Sequence, residues 1–226
     1  MPDYIKQLIS GGESQVLDFK FEISDYRKIA KTLVAFSNTD GGRLLVGVKD
    51  NGAIAGVRSD EEYFMVEGAS RLYCRPEVRF SVREWQVDGR KVLEVIISRG
   101  KERPYMSQEA DGRWTAYVRQ GDQNFKAHVV LLKVWQRENS GKGTTVHFRE
   151  AEMILLRYLE EGRCITLSKF RRLAGLSSSR AESILVDFMT LKLLKLEFSG
   201  NSVQFSLTAA YRRIIASLGI EEEGGF

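Results

Sequence analysis

The sequence predicts an α+β chain in two parts: a mixed sheet with a few helices, then three helices and a β-hairpin. Three observations carry that reading. Before residue 136 the apolar pattern switches repeatedly between a period of two and a period near 3.6, which are the marks of strands and helices. Residues 137–145, RENSGKGTT, are polar, rich in Gly and Ser/Thr and without periodicity, as a linker is. After them, three helical stretches precede two short strands around a Ser-Gly-Asn-Ser turn.

In chain order, residues 15–20 read as a short strand. Tyr26, Ile29, Ala30, Leu33 and Phe36 recur at helical spacing, and Asn38-Thr39-Asp40-Gly41-Gly42 ends that helix. Residues 43–49 and 53–57 read as strands around the turn Asp50-Asn51-Gly52, and residues 61–72 as a helix. Residues 78–85 and 91–98 flank the second turn, Val87-Asp88-Gly89-Arg90; residues 114–119 make a late strand and 126–136 a closing helix. In the second part, helices are expected at 149–161 and 167–174. A third should open on Ser179-Arg180-Ala181-Glu182, whose Ser-x-x-Glu form is that of a capping box. Strands 194–198 and 203–207 follow. Three helices and a terminal hairpin, with a tight Gly-containing turn between the second and third helices, predict a winged helix-turn-helix. The expected domains are therefore 1–136, a linker 137–145, 146–220, and an acidic tail 221–226.

Composition narrows the class. Of the 226 residues 43% are hydrophobic and 28% charged, as in globular proteins. No apolar run is long enough for a membrane span, and no signal-peptide core is present, so no membrane partner is expected. Two cysteines, Cys74 and Cys164, in different domains suggest no disulfide framework and fit a cytoplasmic protein. The net charge is +4. Residues 1–136 carry 21 Lys+Arg against 19 Asp+Glu, and residues 137–226 carry 13 against 11, with three of those acids in Glu221–Glu223. Without that tail the second part is +5, so the charge argument for a polyanionic partner is stronger there. His128 and His147 are too few and too isolated for a zinc site or a triad.

Four segments stand in a recognisable order: ESQVLDFK (residues 13–20), AFSNTDGGRLLVGVKDNG (35–52) with AIAGV after it, DGRKVLEVIISRGKERPYM (88–106), and TAYVRQGDQNFKAH (115–128). Together they resemble the AlbA-type domain of the Schlafen family, a mixed-sheet module that many bacterial regulators join to a winged helix. The resemblance covers about residues 9 to 130. It implies, from family members that cut RNA, three acidic positions that bind a divalent metal. Here those positions hold Glu13, Asp18 and Asp50, with Asp18 where the family usually has Glu. In that reading Mg²⁺ or Mn²⁺ is the cofactor, and Lys20 stabilises charge that develops on the phosphate. Family naming also implies a link to ATP, but Gly141-Lys142 lacks the first glycine of a P-loop, having Gln136 there, and has Gly143 where Ser/Thr is needed. The turn Asn38, Gly41, Gly42 and Arg43 is the place left for a phosphate, beside its plainer and preferred reading as the end of a helix.

In a winged helix the third helix reads bases and its neighbours hold phosphates. The expected nucleic-acid contacts are Lys169, Arg171, Arg172, Arg180, Ser183, Lys192 and Lys195, with Asp187 and Thr190 on the same outward stripe of the third helix. The function expected first is that of a DNA-binding transcriptional regulator. The alternatives are a metal-dependent endoribonuclease acting on structured RNA and a nucleotide-sensing interaction module. A homodimer is expected, with Leu131, Val134 and Trp135 as interface residues.

Overall fold

The computed structural model describes residues 2–141, 143–200, 202–211 and 213. The expected acidic tail, 221–226, lies outside them. Two compact units divide between Ala127 and His128.

The first unit is a mixed α+β fold in the order α1 (Pro2–Ser10), β1 (Leu17–Lys20), α2 (Tyr26–Asn38), β2 (Gly42–Val46), α3 (Glu61–Tyr73), β3 (Cys74–Arg75), β4 (Phe80–Val87), β5 (Arg90–Ile97), β6 (Met106–Gln108), β7 (Trp114–Gln120) and β8 (Gln123–Lys126). One sheet has the order β1-β2-β5-β4; β1 and β2 are parallel with α2 as their crossover, and the other pairs are antiparallel. The second sheet, β3-β6-β7-β8, is antiparallel throughout. Both faces of the first sheet are covered. Leu44 and Val46 pack with Leu33 and Phe36 of α2, while Leu45 packs on the opposite side with Ile5 of α1, Phe19 and Val92. This double burial explains the unbroken Leu-Leu-Val run of β2, which shows no alternation.

Helix α1 was not anticipated, although Ile5, Leu8 and Ile9 have helical spacing and Ile5 is fully buried. The strand expected over 43–49 stops at Val46. Gly47 adopts φ +93°, and its N–H and that of Val48 both donate to Lys20 O, at 2.8 and 3.2 Å. The expected hairpin at Asp50-Asn51-Gly52 is consequently reduced to one bridge, Val48 with Ile54.

The second unit contains α4 (Val129–Ser140), α5 (Glu150–Glu160), α6 (Leu167–Leu173), α7 (Ser178–Thr190), and the antiparallel hairpin β9 (Leu194–Ser199) and β10 (Ser202–Leu207). Helix α4, expected to close the first domain, belongs here. Its Val130 and Val134 share a core with Leu155, Phe170, Leu185, Phe188 and Phe205. Lys133 and Arg137 on α4 form ion pairs with Glu182 and Asp187 on α7. The helix runs on to Ser140 and ends at Gly141, φ +63°, so the first residues of the expected linker are helical. Val134 and Trp135 are buried within the chain, which withdraws them as interface residues. The capping box also shifts. Ser177 caps α7 by accepting the Arg180 N–H at 3.3 Å, and Glu182 is occupied by Lys133.

Helix α4 starts on an unusual cap. His128 Nδ1 accepts the Val130 N–H at 3.3 Å, which requires an unprotonated imidazole nitrogen. Burial lowers the His128 pKa below its ordinary value, and Glu182 opposes this weakly. The folded chain therefore binds this proton less readily than the unfolded chain. The stability it contributes is present above the unfolded pKa of about 6.5 and is lost as pH falls through the folded value. Urea unfolding followed from pH 8 to 5 should show this loss, and His128→Asn, which keeps a capping acceptor, should flatten it.

Candidate functional site

Strand β1 lies at the edge of its sheet, so the backbone groups of Leu17 and Phe19 that point away from β2 require other partners. Side chains supply them. Glu13 Oε1 accepts the Phe19 N–H at 2.8 Å, and Lys20 Nζ donates to Phe19 O at 2.6 Å. Leu17 O accepts from Ser14 N at 2.8 Å and from Arg119 Nη2 at 3.1 Å. Asp18 is buried, with Oδ1 3.3 Å from Arg119 Nη2 and Oδ2 3.0 Å from Lys20 Nζ. Burial pushes the Glu13 carboxyl above its usual range; the Phe19 amide pulls it down, and the neighbouring Asp18 adds to the rise.

The structure thus brings Glu13, Asp18 and Lys20 together, without Asp50 as a third carboxylate beside them. Asp50 is exposed on its turn, and among the described residues no three His, Cys, Asp or Glu side chains form a group able to hold an ion. Asp18 Oδ1 faces Arg119 and Oδ2 lies 3.0 Å from Lys20 Nζ, yet Oδ2 is a buried oxygen without a hydrogen bond. Lys20 is bound to Phe19 O and Asp18 rather than presented to a substrate.

Arg119, the arginine of Tyr117-Val118-Arg119-Gln120-Gly121 in the last of the segments that carry the family resemblance, has no site role in the sequence reading and is the hub of this cluster. Its side chain is 1% exposed. Nε donates to Ser14 O and Gly121 O, both at 3.1 Å, and Nη1 to Asn124 Oδ1 at 3.3 Å. The guanidinium carbon stands 5.1 Å from the centre of the Phe36 ring. One buried cation thereby joins the β1 edge, the β7–β8 turn and α2. The signal was a Tyr-x-Arg-x-Gly pattern in which an arginine interrupts a buried strand, since lone arginines are rarely buried without partners.

The glycine turn is a helix C-terminus, the negative end of the α2 dipole, and so a poor place for phosphate. Asn38 is buried and saturated: Nδ2 donates to Tyr105 O and Tyr117 O, and Oδ1 accepts Tyr105 N–H, each at 2.8 Å. Gly41 has φ +76°, and a Cβ there would sit 2.7 Å from Ile97 O. A Cβ at Gly42 would meet the Phe36 ring at 2.5 Å. Arg43 Nε donates to the fully buried Glu94 at 3.0 Å. Close packing, not ligand approach, accounts for both glycines.

In the second unit, Arg171, Arg172, Lys169, Lys192 and Lys195 are all exposed. Lys169 donates to the Tyr158 hydroxyl at 2.6 Å, Arg171 to Ser178 Oγ at 2.9 Å, and Lys195 pairs with Glu197 at 2.8 Å. Arg180 is tied to the buried Glu152 of α5 at 2.7 Å. The stripe expected to face outward on α7 is partly covered: Ser183, Asp187 and Thr190 are half-buried, and Asp187 is neutralised by Arg137. Only the first turn of α7, Ser178 to Arg180, is exposed. No helix among the described residues is long and apolar enough to cross a membrane.

Two solved structures are similar in part. The DIP2311 protein of Corynebacterium diphtheriae is 21% identical, with a TM-score of 0.44 over 70% of this chain and 33% of its own, so the chain spans about a third of that protein's length. The N-terminal domain of a RecG-related protein from Nitrosomonas europaea is also 21% identical, with a TM-score of 0.39 over 56% of this chain and 92% of its own. The family model described as Schlafen, AlbA_2 matches residues 13–128. That span opens at the carboxylate that seals β1, takes in the glycine turn and the Arg119 hub, and covers a little over half of the sequence: the chain belongs to the Schlafen, AlbA_2 family.

Proposed function

We propose that the chain is a DNA-binding transcriptional regulator whose second unit is a winged helix-turn-helix. The observation that carries this reading is the order α5, α6, tight turn, α7 and β9–β10 hairpin, with exposed cations on α6 and at the start of the hairpin. In such a motif the exposed N-terminal turn of the recognition helix meets base edges, so Ser178 and Ser179 are the base-contacting candidates. Lys169, Arg171, Arg172, Lys192 and Lys195 are the phosphate contacts. Arg180 serves the fold by compensating Glu152, and its replacement should lower stability as well as binding. The pairing of both α7 acids with α4 removes the repulsion they would otherwise exert on a phosphate backbone.

The test is titration of the full chain with fluorescent duplex DNA over a range of salt. Each phosphate contact contributes about 0.9 to the slope of log K against log salt. Arg172→Ala should weaken binding to all sequences alike and reduce the slope by about that amount. Ser179→Ala should instead change preference between sequences. Absence of any salt-dependent affinity for duplex DNA would remove the reading.

A further inference from the structure

Every charged side chain of α7 is held by another helix. Arg180 is bound to the buried Glu152 of α5, Glu182 to Lys133 and Asp187 to Arg137, and the last two partners lie on α4. A helix-turn-helix of α5, α6 and α7 alone would lack a cation for either carboxylate. On α4, Val130, Lys133, Val134 and Arg137 follow the helical repeat and share one face. Val130 and Val134 enter the same core as Leu185 and Phe188 of α7. From Lys133 to Arg137 the chain climbs about 6 Å of α4, and from Glu182 to Asp187 about 7.5 Å of α7, so the helices run in the same direction along this contact. Two ion pairs a turn apart fix both the rotation of α7 about its axis and its position along it.

The two acids stand at different distances from the turn that meets DNA in the proposed function. Glu182 lies four residues past Ser178, about 6 Å along the axis, and Asp187 nine residues past it, about 14 Å. Charges are screened over about 8 Å at physiological salt, so Glu182 acts on a phosphate bound at that turn far more strongly than Asp187 does. The Glu182 side chain is 17% exposed and that of Lys133 45%, which leaves the pair at the surface. We infer that α4 sets the DNA affinity of the second unit. Seated on α7, it neutralises Glu182 and holds the helix in place; displaced, it bares a carboxylate beside the phosphate backbone. Lys133 is in this sense a positioning residue and not a DNA contact. The inference rests on the DNA-binding reading above. Chain order suits α4 to such control, because only Ala127 and His128 separate it from β8, the last strand of the first unit. The Ala127 N–H donates to Ala116 O of β7 at 2.9 Å, and His128 caps α4. Helix α4 is thus the first element of the second unit that a change at the β7–β8 edge pulls on.

The test is titration of the full chain with fluorescent duplex DNA at about 50 mM salt, where screening is weak. Lys133→Met, which keeps the apolar stem, should weaken binding by about three- to tenfold, and Arg137→Met by less than about twofold. The double variant Lys133→Met with Glu182→Gln removes both charges. It should return affinity to within about twofold of the unmodified chain, because the effect of Lys133 runs through Glu182. Such rescue also excludes loss of the fold as the cause of the single variant's weakness. Unchanged affinity in Lys133→Met overturns the inference and leaves the DNA-binding reading in place. A double variant as weak as Lys133→Met makes Lys133 a phosphate contact and overturns it too. An unmodified chain without salt-dependent affinity removes the DNA-binding reading and this inference together.

Discussion

Replacing Asp18 with alanine is expected to lower the stability of the first unit by about 3–5 kcal/mol, because Arg119 would remain as a buried cation without its counter-charge. The magnitude follows from burial on both sides, Arg119 at 1% and Asp18 at 5% side-chain exposure. The carbonyls of Ser14, Leu17 and Gly121 would still accept from the guanidinium, but dipoles do not replace a full charge. The double replacement Asp18→Leu with Arg119→Met should restore much of the loss, as exchange of a buried ion pair for apolar groups commonly does. Urea midpoints of the three variants measure both effects. A loss below about 1 kcal/mol for Asp18→Ala would show that Arg119 does not depend on this carboxylate.

The second large effect is expected at Glu94, which is fully buried on the α1 side of the sheet. Its Oε1 accepts from the Tyr4 hydroxyl at 2.7 Å and Arg43 Nε at 3.0 Å, and its Oε2 accepts from Trp85 Nε1 at 2.9 Å. Glu94→Leu would take the acceptor from three donors, of which Arg43, 40% exposed, can turn to water, and should cost about 3 kcal/mol, whereas Glu94→Gln keeps an acceptor and should cost less. Because Trp85 loses its partner and Tyr4 packs on it at a centroid distance of 5.1 Å, indole fluorescence should report the change directly. Burial, with Glu94 second, also raises the Tyr4 hydroxyl above the ordinary tyrosine range, so Glu94→Leu should lower its titration midpoint.

Much of the fold was legible because its signals are local. The spacing of Ile29, Leu33 and Phe36 fixes α2, and the Asp-Gly turn at residues 88–89 fixes the β4–β5 hairpin. The three-residue strand β6 and the polar β8 carry no such local pattern; they exist because β7 offers them an edge. The assignment of α4 failed for a related reason. Its amphipathic pattern announces a helix but not which core receives Val130 and Val134, and the polar run after it looked like a boundary. At the candidate site, the family resemblance named Glu13, Asp18, Asp50 and Lys20 as one group; the first, second and last are neighbours in the structure, but the motif could not supply the charge opposite them. Arg119 lies 101 residues from Asp18, and its presence changes Asp18 from a prospective ligand into a counter-ion.

The sealed margin of β1 also bears on how the chain behaves in a crowd. An unpaired strand is a template on which a foreign strand can settle, and sheets that extend in this way end in aggregation. Here an incoming strand would have to displace the Glu13 carboxylate from Phe19, evict the Lys20 ammonium and dislodge Arg119 from Leu17, exposing two charges that the fold has neutralised. Side chains at the family's acidic positions thus also occupy the edge on which a foreign strand would settle, and variants at Glu13 are expected to lose solubility.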